Sequence, residues 1–238
     1  MSADRTPTNT RRPNYLVAAA PFLWAVLILF HPMPGGDNTL DGIDDVVDRW
    51  LIVHVAQLIL TPLLFLAVWR LLDGLSSPAA TISRCALVVW TVFFSAYDAV
   101  QGIATGLLVR HAGGVPTAQQ NAIAEALDYL VLDSRLAGDI SAVQMVAGAA
   151  WLTVAIGAAI ALHQARAGTT VVALTAISVV FSMHMAPAAI GLLALTGAVV
   201  LREHQRATSP AASALTTPFT TESGQPPTTT SPQLQARR

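Results

Sequence analysis

Residues 82–109 read ISRCALVVWTVFFSAYDAVQGIATGLLV, an apolar run that holds one carboxylate, Asp98, with no basic residue nearby in sequence. An ionised carboxylate at the centre of a lipid-facing helix costs roughly 2.5–3.5 kcal/mol on insertion scales. Asp98 therefore has to face the protein interior, find a partner or stay protonated. Thr91, Ser95, Asp98, Gln101 and Thr105 recur at steps of three and four, which places them in one polar stripe on a helix. The opposite face is Leu, Val, Phe and Ile, which suits lipid. The run thus predicts a transmembrane helix with an inside and an outside, and the other helices are expected on its polar side.

Composition extends that reading to the whole chain. It is 53% hydrophobic and 11% charged, against about 25% charged in ordinary soluble domains. The deficit is concentrated in several long apolar runs, so the fold class is an all-α integral membrane protein in the lipid bilayer of the cell. A net charge of −1 leaves no basic surface for nucleic acid, and no motif for it is present. Cys85 is the only cysteine, which excludes an intrachain disulfide and a thiolate metal cluster. Inside an apolar helix it reads as a small buried hydrophobe. All 13 basic residues are Arg, which with the many Ala is a composition of GC-rich bacterial genomes.

Six spans are expected, at about 15–31, 50–72, 82–109, 139–163, 169–185 and 187–202. The leader 1–14 and the Thr/Ser/Pro-rich tail 203–238 read as disordered. Pro62 predicts a kink in the second span. Gly102 and Gly106 form a small-xxx-small pair that permits close helix contact. Residues 169–202 would extend about 50 Å as one helix, too long for a single crossing, so the run is divided at Met185–Pro187. The first loop contains DNTLDGIDDVVD, which matches a calcium-binding loop poorly, because Thr39 and Asp44 occupy the wrong sites. Asp41 as a helix cap, with Asp44 and Asp45 in the first turn, accounts for it better. In the second loop, Thr117 and Gln120 read as a capping box for an amphipathic helix over 117–132, lying on the membrane surface or over the bundle mouth.

The positive-inside rule orients these spans. Arg5, Arg11, Arg12, Arg70, Arg84, Arg166, Arg202 and Arg206 fall on one side, and the loop 31–49, with five Asp against one Arg, falls on the other. Both termini are expected in the cytoplasm.

Depth then groups the polar residues. His31, His54, Gln57, Ser95, Asp98, Gln101, Asp139, Gln144 and His184 all fall in the outer half of their spans or at its edge. Ionisable groups inside spans are functional-site candidates, and imidazole with carboxylate is a common ligand set for zinc. One reading is a membrane-embedded hydrolase in which His31, His54 and His184 hold zinc and Asp98 ligates or positions the catalytic water. The His-x-x-x-His pair usual in intramembrane metal hydrolases is absent. A second reading is a transporter or sensor driven by protonation of Asp98 and His54. Haem between His54 and His184 ranks lower, and a scaffold or accessory subunit with a structural polar cluster completes the set.

Overall fold

The computed structural model describes residues 14–32, 38–129, 135–137, 140–182 and 186–208. A short 3-10 turn, Tyr15–Ala18, leads into α1, Ala19–Leu29. A short helix α2, Thr39–Asp44, precedes the long α3, Val47–Leu71. α4, Pro78–Tyr97, passes through a π-helical segment, Asp98–Ala104, into α5, Thr105–Ala112. α6 is Thr117–Asp128. A two-stranded antiparallel ribbon, β1 Arg135–Ala137 and β2 Ile140–Ser141, leads into α7, Ala142–Gln164. α8, Thr169–Ile177, ends in a 3-10 turn, Ser178–Ser182, and α9 is Ala186–Thr208.

Three helical stretches are long and apolar enough to cross a membrane: Val47–Leu71, Pro78–Ala112 and Ala142–Gln164. Tyr15–Leu29 and Thr169–Phe181 are shorter apolar helices. α3 shows how such a helix is built. Its exposed side carries Ile52, Val55, Ile59, Leu63 and Leu66, while His54, Gln57 and Thr61 are buried. The buried side is also mainly apolar, with Leu51, Val53, Leu64 and Val68, so both faces of the middle of the helix are apolar and its polar residues there point inward.

The core is aromatic at its centre. Trp24 of α1, Trp90 of α4, Trp151 of α7 and Phe181 meet with ring centroids 4.7–6.0 Å apart. The indole of Trp151 donates to the carbonyl of Ser178 at 2.8 Å. α4 and α7 form the most extensive helix pair. Small residues allow it: Gly157 lies against Ala79 and Ser83, and the Ser83 hydroxyl donates to Val154 O at 2.8 Å.

A second, smaller apolar cluster joins Ile43 of α2, Trp50 of α3, Val109 of α5 and Leu127 of α6. It lies apart from the main core, where α2 and α6 cover the N-terminal end of α3.

Several boundaries differ from expectation. The third helix begins at Pro78, capped by the Ser77 hydroxyl, with proline suited to the first turn. As expected of the second span, α3 runs as one helix through Pro62, and the Thr61 hydroxyl donates to Gln57 O. Asn38, not Asp41, caps α2: its side chain accepts from the Asp41 N–H. Gln120 does not cap α6 but reaches back to the carbonyls of Ala112 and Val115, closing the turn between α5 and α6. Cys85 is exposed on α4 rather than buried. α9 extends six residues beyond Arg202, to Thr208, because Glu203 and Arg206 have partners at the end of α3. Residues 1–13 of the leader, the rest of the tail, His184 and Asp139 lie outside the described residues.

Candidate functional site

His54 lies two turns into α3, and Asp98 is the first residue of the π-helical segment that faces it. Their side chains meet: His54 Nδ1 is 2.7 Å from Asp98 Oδ1, and both residues are buried. Pairing is what a buried carboxylate needs in an apolar setting. Yet the pairing is incomplete, since His54 Nε2 and Asp98 Oδ2 are buried with no hydrogen-bond partner among the described residues.

The local backbone explains the approach. A π-helical turn is wider than an α-turn and frequently marks a functional site. Here it brings Asp98, Gly102 and Gly106 successively against α3. Gly102 has no side chain because the imidazole of His54 fills the space: a Cβ there would overlap the ring. Gly106 likewise accommodates Leu51 and Trp50. The small-xxx-small pair is therefore the seat of the histidine as well as a packing device.

Trp50 completes the enclosure. Its ring centroid is 4.6 Å from that of His54, and its indole N–H donates to Gly102 O at 2.8 Å. His31 approaches edge-on, 5.3 Å from Trp50 and 5.1 Å from His54 between centroids. His31 Nδ1–H donates to Pro32 O at 2.8 Å, which commits that nitrogen as a donor. The sequence reads Trp50 with Ile43, Val46 and Val47 as an apolar side leading into the second span, and so does not mark it as part of the site. A signal was available: Trp50 and His54 are one turn apart on the face that carries Gln57 and Thr61.

Other residues of the expected cluster are spread out. Gln57 is buried on α3, whereas Ser95, Gln101 and Gln144 are half-buried. His111, His163 and His204 are exposed. Among the described residues, no group of three His, Cys, Asp or Glu side chains is arranged to hold a metal ion.

A second polar centre occupies the opposite end of α3. Glu203 is buried; its Oε1 lies 2.8 Å from Arg206 Nη1 and 3.3 Å from Arg70 Nε, and its Oε2 accepts from Asn14 N. Arg206 also donates to the carbonyls of Arg70 and Asp73, and Arg84 donates to Leu72 O while lying over the ring of Trp69. These guanidinium groups satisfy the last carbonyls of α3, a helix end that favours positive charge.

No known protein family, curated protein or solved structure matches this chain. The reading of the site rests on its geometry.

Proposed function

We propose that this chain is a multi-pass membrane protein that binds and releases a proton at the His54–Asp98 pair, as a transporter or sensor does. The observation that carries this reading is a buried imidazole–carboxylate contact whose two remaining polar atoms are unpaired. Imidazole changes charge between about pH 5 and pH 8, and intramembrane Asp and His are the usual elements of proton relays. The topology that suits this reading has six spans, with both termini cytoplasmic and the pair near the outer surface. It is supported by Arg70, Arg84, Arg166, Arg202 and Arg206 falling at one end of the fold and the acidic α2 region at the other.

A zinc hydrolase is less well supported, because His31 and His54 have no third ligand among the described residues. The deciding experiment measures protons taken up by the detergent-purified protein between about pH 8 and about pH 5. Asp98→Asn combined with His54→Gln is expected to take up about one proton fewer than the wild type. Equal uptake would refute the proposal, and stoichiometric zinc or a haem absorption band in the same preparation would replace it.

A further inference from the structure

We infer that α2 and α6 form a gate between the His54–Asp98 pair and the outer aqueous phase, and that Trp50 couples the gate to the pair. The inference rests on the proton-binding reading and adds to it how a proton reaches a buried site.

Trp50 belongs to both structures at once. One side of the indole forms a wall of the His54 site and is tied to Gly102 O. The same residue is part of the apolar cluster with Ile43, Val109 and Leu127. Leu127 is the only fully buried residue of α6 among those described, so α6 is anchored apolarly through the cluster that contains Trp50. Among the described residues the polar fastenings are these: Thr39 N donates to Asp128 Oδ1 at 3.0 Å, Gln120 holds two carbonyls, and Arg110 pairs with Asp48 at the exposed rim. A unit held by few buried apolar contacts and separate from the main core opens at a lower free energy than the whole fold.

Charge balance sets the direction. With one proton on His54 Nε2 and one shared between Nδ1 and the carboxylate, the pair has no net charge, which suits a site under an apolar cover. A further proton has to enter at Asp98 Oδ2, the unpaired carboxylate oxygen. It comes from hydronium in the bulk and leaves one net positive charge, which water must solvate. Opening the cover supplies that water, so acid favours the open gate.

Other titratable groups surround the gate. His31 touches His54 and Trp50. Asp41, Asp44 and Asp45 on α2, Asp48 and Arg49 on α3, Arg110 and His111 on α5, and Glu125 on α6 are exposed, and Asp128 is half-buried. Tyr97 precedes Asp98 and is half-buried. The test has to separate these from the pair.

Spin labels at E125C on α6 and L152C on α7, both exposed positions, in a Cys85→Ser background report the gate by electron–electron distance measurement. In lipid nanodiscs, the wild-type site is expected to gain a longer-distance population between about pH 8 and about pH 5. Asp98→Asn and Trp50→Leu are each expected to abolish that shift, whereas His31→Gln retains it. A shift that persists in Asp98→Asn would overturn the inference, because the surrounding groups would then drive the motion. If His54 titrates by NMR while the distance stays constant, the gate is wrong and the proton-binding reading stands. If neither responds to pH, both fall.

Discussion

Asp98 and Glu203 are both buried carboxylates, about 24 Å apart along α3 by the rise of the helix between their partners His54 and Arg70, and they are treated oppositely. Glu203 has partners on both oxygens: two guanidinium groups on one and a backbone N–H on the other. Asp98 has one partner, an imidazole whose own charge varies with pH, and leaves Oδ2 unpaired. Arginine stays charged at any physiological pH, so the first centre is a permanent fastening. Histidine does not, so the second is a place where charge can change. The contrast separates charge used for structure from charge held in reserve.

The comparison is broken most forcefully at the structural end. Glu203→Ala would leave Arg70 and Arg206 facing each other without their carboxylate. Losing one partner of a buried pair costs 3–5 kcal/mol; because both guanidinium groups are partly exposed, about 2–3 kcal/mol is expected here, read by equilibrium unfolding in mixed micelles. A change within about 0.5 kcal/mol would mean that the network contributes no more than a surface pair. Gly102→Ala forces a methyl group into the His54 ring and is expected to cost about 2 kcal/mol by overpacking. The same unfolding assay checks it, and a displaced His54 resonance would accompany the loss. Asp98→Asn keeps shape and one acceptor, so its stability cost is expected to be only about 1 kcal/mol, while the proton uptake assigned to the pair disappears. A stability loss as large as that of Glu203→Ala would make Asp98 a structural residue too. Smallest of all, Arg84→Lys retains charge but loses planar contact with Trp69, for about 0.5 kcal/mol.

The sequence shows these two regions unevenly. The apolar runs and the rarity of charge make it legible that α3, α4 and α7 belong to helical stretches long and apolar enough to cross a membrane, since both follow from composition and period. Depth along a helix is legible too, and position within the apolar runs alone puts His54 and Asp98 at one level. Azimuth across the bundle is not. Whether two residues at one depth touch depends on helix rotation, and the π-helical segment changes that rotation just after Asp98. No residue pattern announces it. Gly102 looks like a common packing glycine until His54 is seen in its place. The extension of α9 was hidden for a related reason. REHQRAT is polar enough to read as a tail, and only the exposed carbonyls at the end of α3 give Glu203 and Arg206 a reason to stay helical. The five Asp of residues 31–49 drew attention to Asp41 as the cap of α2, whereas the cap is Asn38, three positions earlier.

The central claim is that His54 and Asp98 form a titrating pair, and nitrogen-15 NMR of histidine-labelled protein in lipid bilayers tests it most directly. The account predicts that the His54 ring resonances change when the pH is lowered from about 8 to about 5, and that Asp98→Asn alters this change while leaving the resonances of His111, His163 and His204 as they are. A His54 ring that keeps one protonation state across that range, unaffected by Asp98→Asn, would contradict it and return the pair to a fixed structural contact.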